Sequence, residues 1–101
     1  MLPGGMGKTL QEMQKKLAKL ETDLKERVVE STAGGGMVKV RVNGQEEIVD
    51  VKIDASVINP DDKQLLEDMI LAASNEGVKK AKKLREQEIA KITGLNMPGL
   101  F

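Results

Sequence analysis

The sequence predicts an α+β subunit in which two long helices flank a three-stranded antiparallel sheet, in the order α-β-β-β-α. Three observations carry this expectation: a leucine seam at helical spacing before residue 27, three β-branched stretches between residues 28 and 53 separated by Gly-containing turns, and a second helical periodicity from Asn59 to Thr93. The chain has 101 residues, room for one domain. Its expected limits are 9–94, with loose tails at 1–8 and 95–101.

The Gly- and Pro-rich opening reads as a tail. Thr9-Leu10-Gln11-Glu12 has the form of a capping box, in which the Thr9 hydroxyl and the Glu12 carboxylate would each accept from a free backbone N–H of the first turn. Leu10, Met13, Leu17, Leu20 and Leu24 then recur at alternating steps of three and four, on one side of a helix running to about Arg27. Two heptads are short for a free-standing coiled coil, so the seam is read as a core-facing stripe.

Val28–Thr32 switches to β-branched residues and predicts a strand. The run Gly34-Gly35-Gly36 supplies the positive φ values of a tight reversal. A phosphate-cradling loop would need a helix to follow the glycines, and here a strand does. From Met37 to Val42, Val38, Val40 and Val42 share one face and Lys39 and Arg41 the other. Asn43-Gly44 predicts a two-residue hairpin turn. The chain is then expected to return from Gln45 to Ile53, with Val49, Val51 and Ile53 inward and Asp50 and Lys52 outward. The mixed-sign outer face reads as solvated sheet surface.

Asn59 is the expected cap of the second helix, with Pro60 in its first turn, where a missing N–H costs nothing. Asp61 and Asp62 then lie where the helix dipole favours negative charge, and no metal site is read from them. The helix should run to about Ile92, with Thr93-Gly94 as its C-cap. Leu66, Ile70, Ala73, Gly77, Ala81 and Leu84 share a face, and the small residues Ala73, Gly77 and Ala81 leave a groove for close approach. Gly77 is also the natural position for a kink.

A helix of this length spans about 50 Å, against about 25 Å for the strands. Half of it must overhang the sheet. A second copy is the simplest cover for the overhanging stripe, so a homodimer is expected.

Composition removes several functions. There is no Cys and no His, hence no thiol chemistry, no usual zinc site and no imidazole base. The single aromatic is Phe101, so stacking of bases on a ring platform is not expected. No apolar run approaches the ~18 residues of a membrane span, and the N-terminus lacks the pattern of an export signal. Ser31, Ser56 and Ser74 have no evident base. The chain therefore reads as a cytoplasmic protein that is not an enzyme, with no cofactor, metal, membrane or small-molecule substrate.

The 16 basic and 16 acidic residues cancel, yet they are partitioned. Residues 1–27 hold six basic and four acidic groups (+2), residues 28–78 four and ten (−6), and residues 79–101 six and two (+4). Lys79, Lys80, Lys82, Lys83 and Arg85 place five cations in seven residues, and Lys15, Lys16 and Lys19 form a lesser cluster. Either these are solvated helix exteriors, partly answered by Glu86 and Glu88, or they are phosphate-binding surfaces. Composition does not separate the two.

The run Ala33-Gly34-Gly35-Gly36, followed by Val38, Val40, Asn43-Gly44 and Val51-Lys52-Ile53-Asp54, resembles the signature of the YbaB/EbfC family of bacterial nucleoid-associated proteins. Leu65 to Gly77 and the closing Met97-Pro98-Gly99-Leu100 are similar to that family as well. The resemblance covers about Leu10 to Leu100. It implies a tweezer-like homodimer of α-β-β-β-α subunits that binds double-stranded DNA in the nucleoid, alters its conformation, and takes part in nucleoid organisation and gene regulation. Gly77, where Ala would suit a helix better, departs from a straight second arm.

The leading expectation is a homodimer gripping duplex DNA through phosphates. Lys79, Lys80, Lys82, Lys83 and Arg85 are the principal contacts, with Lys15, Lys16 and Lys19 as auxiliaries. Lysine suits backbone contact better than base readout. The alternative is a helical-dimer protein-interaction module, with Met13, Met69 and Met97 on an adaptable apolar surface and DNA association secondary.

Overall fold

The computed structural model describes residues 4–94. Helix α1 (Gly4–Glu26) leads into strands β1 (Val28–Ala33), β2 (Val38–Asn43) and β3 (Ile48–Ile53). Two short 3₁₀ turns, Ala55–Val57 and Pro60–Asp62, then precede helix α2 (Lys63–Thr93). The strands form one antiparallel sheet in the order β1-β2-β3, so the predicted α-β-β-β-α order holds. The body is elongated, 68 × 22 × 18 Å.

Helix α1 starts five residues before its expected cap. Thr9 lies inside the helix, and its hydroxyl donates back to the Gly5 carbonyl at 2.8 Å, the i→i−4 bond open to a mid-helix threonine. The capping box therefore does not form there, and residues 4–8, expected in a tail, are helical. The expected tail at 95–101 lies outside the described residues.

The sheet is organised around β2. Val38, Val40 and Val42 are fully buried, as their alternation predicts, and pack against Met69, Ala73 and Ala81 of α2. Each buried valine contributes roughly 1.5–3 kcal/mol. Gly34, Gly35 and Gly36 take φ values of 63°, 69° and 93°, the left-handed turn read from the sequence.

The β2–β3 connection is not the two-residue turn that Asn43-Gly44 suggests. Val42 pairs with Ile48, the four residues 44–47 connect the strands, and the positive φ belongs to Glu46 (64°). Asn43 organises this loop through its own side chain: Oδ1 accepts from the amides of Gln45 (3.0 Å) and Glu47 (3.1 Å). Gly44 serves close approach instead. Its N–H donates to the carbonyls of Leu24 and Arg27 at 2.8 and 2.9 Å, and a Cβ there would stand 2.8 Å from the Leu24 carbonyl oxygen.

Strand β3 consequently begins at Ile48 rather than Gln45. A register shift opposite Arg41 and Val42 leaves Val49 as the extra residue of a bulge. Val51 and Ile53 pair with Val40 and Val38. Ile48 takes the register place opposite Val42 expected of Val49, but Ile48, Val49 and Val51 are all exposed, and of the inward face expected for β3 only Ile53 packs against the core. Arg41 faces Asp50 and Lys39 faces Lys52 on the outer side, as expected.

Asn59 caps the second 3₁₀ turn, accepting from the Asp61 amide at 3.0 Å, and α2 proper begins at Lys63. It continues unbroken through Gly77 and ends at Gly94, φ 72°, whose N–H donates to Ala90. Gly77 is buried against the sheet, and the Ser31 hydroxyl donates to the Ala73 carbonyl one turn away. Ala73, Gly77 and Ala81 form the groove read from the sequence, and β1 and β2 occupy it. The C-terminal overhang of α2 is covered by α1 of the same chain: Leu17, Leu20 and Leu24 pack with Leu84, Ile89 and Ile92. A second copy is not needed at that place.

Candidate nucleic-acid interface

Packing of α1 on the last three turns of α2 makes a two-helix arm that projects from the sheet. Ion pairs staple its flanks. Arg85 Nη2 meets Glu21 Oε1 at 2.6 Å, and Arg27 Nη1 meets Glu88 Oε1 at 3.1 Å. Lys91 Nζ also donates to Glu88 Oε1, at 2.9 Å. The hydrogen bond from Lys91, joined by Arg27, holds the Glu88 carboxyl below the usual glutamate range despite the opposing desolvation. Beside the staple, Leu17, Ala18, Glu21, Arg85, Ile89 and Thr93 line an open groove of about 340 Å³.

The five cations of the α2 cluster are not equivalent. Lys79, Lys82 and Lys83 are exposed. At about 100° per residue they stand roughly 120–160° round the helix from Gly77, on the side away from the sheet. Lys80 turns back, and its Nζ donates to the Glu30 carbonyl at 3.0 Å. Arg85 is half-buried and committed to Glu21, with its Nε buried and without a hydrogen-bond partner.

On α1, Lys15, Lys16 and Lys19 are all exposed. Lys15 and Lys19 lie about 140–180° from Leu24, and Lys16 on the flank at about 80°. Lys8 belongs to the same outer stripe and is exposed. Assigning it to a tail hid it, although its steps of seven and eleven from Lys15 and Lys19 are the signal that finds it. The α2 lysines thus turn away from the sheet, with Lys82 within about 20° of the seam residue Ile89 on the helix wheel, while Lys15 and Lys19 turn away from Leu24.

The acidic surplus lies in residues 28–78, on the sheet and the start of α2, but Glu86 shares the face of Lys82 and Lys83, and Glu12 stands one turn from both Lys8 and Lys16. Among the described residues, no three acidic side chains converge to hold a metal ion, and no helix is long and apolar enough to cross a membrane. An elongated body with exposed lysines suits contact with a long polyanion.

Comparison with known proteins bears on the same point. The model of the YbaB/EbfC DNA-binding family matches residues 3–96. A nucleoid-associated protein of Pelotomaculum thermopropionicum is 48% identical over the full length of both chains. The nucleoid-associated protein BH0035 of Halalkalibacterium halodurans is 56% identical over 77% of each. Among solved structures, the uncharacterized protein HP0035 from Helicobacter pylori is similar, with a TM-score of 0.73 and 33% identity over 86% of this chain and 92% of that one. The family match across nearly all of the chain and the shared fold together place this protein in the YbaB/EbfC DNA-binding family.

Proposed function

We propose that the protein acts as a homodimer that binds duplex DNA through its phosphates, alters the conformation of that DNA, and so takes part in nucleoid organisation and gene regulation in the cytoplasm. The observation that carries the reading is the set of exposed lysines on the arm of a chain whose family binds DNA. Lys79, Lys82 and Lys83 are the principal contacts, with Lys15, Lys16 and Lys19 as a second set. Lys80 and Arg85 join only by exchanging the Glu30 carbonyl and the Glu21 carboxylate for phosphate. Lysines on helix exteriors favour phosphate contact over base readout, so selectivity is expected to come from DNA shape.

Support for the homodimer comes from the sheet edge. Ile48, Val49 and Val51 of β3 are 47%, 52% and 43% exposed on a strand paired on one side only. A monomer leaving such an edge bare risks uncontrolled pairing, and a second copy would cover it. Two copies presenting three lysines each neutralise about six phosphates, which gives a log–log salt slope of about −5. A mobility-shift titration across salt concentrations, run beside the mass in solution with and without a short duplex, tests both parts. A flat salt response refutes phosphate binding, and a monomeric mass refutes the dimer.

A further inference from the structure

We infer that each arm carries two separate DNA-binding faces, so that one dimer holds two duplexes at once and bridges them. The inference rests on the reading of the lysines as phosphate contacts and goes beyond it.

Lys79, Lys82 and Lys83 are exposed on α2 on the side away from the sheet, while Lys8, Lys15 and Lys19 are exposed on α1 on the side away from Leu24. Between Lys19 and the α2 lysines lies the apolar seam of Leu17, Leu20 and Leu24 against Leu84, Ile89 and Ile92, and Lys15 and Lys8 stand about 3 and 14 Å farther out along α1. The seam fixes the helices' mutual rotation, so neither lysine face can turn to join the other. The ion pair Glu21–Arg85 ties the same two helices at their flank, and Arg27, just past the end of α1, pairs with Glu88 of α2.

Two packed helices, each about 10–12 Å across, make a layer about 20 Å thick, in keeping with the 22 × 18 Å cross-section of the body. A major groove about 12 Å wide cannot admit that layer, so one duplex cannot meet both faces of an arm. Nor does one face feel the other's phosphates, because charge is screened within about 8 Å at physiological salt. A duplex on α2 therefore leaves the α1 lysines unsatisfied and open to a second duplex.

The test is capture of a fluorescent duplex in solution by an immobilised duplex, with the full chain added, beside mobility shifts at several salt concentrations. Three proteins are compared: wild type, an α2-face variant (Lys79→Glu, Lys82→Glu, Lys83→Glu) and an α1-face variant (Lys8→Glu, Lys15→Glu, Lys19→Glu). All substitutions are at exposed positions, and circular dichroism checks that the fold is kept. Wild type is expected to capture the second duplex. Each variant is expected to shift DNA more weakly than wild type, through its remaining face and with a shallower salt slope, and to lose capture to background.

Capture by either variant at the wild-type level overturns the inference, as does a wild type that shifts DNA without capturing a second duplex. It is also overturned if one variant loses all binding while the other binds as wild type, because a single face then does all the work. A wild type that shifts no DNA at low salt refutes the underlying DNA-binding reading instead.

Discussion

Replacing Gly77 by Ala sets helix propensity against packing. In an exposed helix the change would stabilise by about 1 kcal/mol. Here the new Cβ would stand 2.7 Å from Val42 Cγ2 and 2.9 Å from Ser31 Oγ, against an ordinary carbon–carbon contact of about 3.5–4.0 Å. Val42 is fully buried and has a stiff χ1, so it has no room to withdraw. Ser31 can move only by giving up its bond to the Ala73 carbonyl, worth about 1 kcal/mol. Overpacking of this kind costs about 1–3 kcal/mol. Adding the lost hydrogen bond and subtracting the propensity gain leaves a net destabilisation of about 1–3 kcal/mol. The assay is urea unfolding of both proteins at one chain concentration, since self-association would make the midpoint concentration-dependent. The pair Gly77→Ala with Val42→Ala should be less destabilised than the sum of its parts, because the second change removes the obstructing methyl. A Gly77→Ala protein as stable as wild type, or more so, would show that the close approach of helix and sheet is not as described.

Gly44→Ala brings a Cβ to 2.8 Å from the Leu24 carbonyl oxygen and 2.6 Å from Leu24 Cδ2. With backbone as the obstacle and no helix propensity to gain, a loss of about 2–3 kcal/mol is expected in the same unfolding assay. Glu88, with its acidity strengthened by Lys91 and Arg27, contributes stability that is fully present above the ordinary glutamate value of 4.5 and is lost as pH falls through its lower folded value. Glu88→Gln should therefore cost up to about 1 kcal/mol at pH 7, and the gap to wild type should close on acidification; a gap that persists at pH 2 would refute the pairing. Val49→Lys places a charge on the exposed bulge of β3; under the homodimer reading it lowers the mass by light scattering towards one chain while circular dichroism stays unchanged.

Much of this fold was legible locally. The alternation of Val38, Val40 and Val42, the triple-glycine reversal and the Thr93-Gly94 helix end each need only a few neighbouring residues to be read, and all three stand in the structure. Where local rules failed, a distant partner had intervened. Asn43-Gly44 carries the signature of a two-residue turn, but Gly44 is bound to the end of α1 at Leu24 and Arg27, which the hairpin pattern cannot register. The leucine seam of α1 identified an apolar face without saying what would cover it.

The candidate interface divides in the same way. Clustering of lysines in the chain marked the arm as cationic, because charge can be counted residue by residue. Which lysines remain free depended on contacts across the chain: Lys80 reaches Glu30, 50 residues away, and Arg85 reaches Glu21, 64 residues away. How the α1 lysines stand relative to the α2 lysines likewise follows from how two apolar stripes mesh. Periodicity places a side chain on its own helix, and packing alone sets how one helix is rotated against another, because the burial that drives it is shared between segments with no neighbouring residues in common.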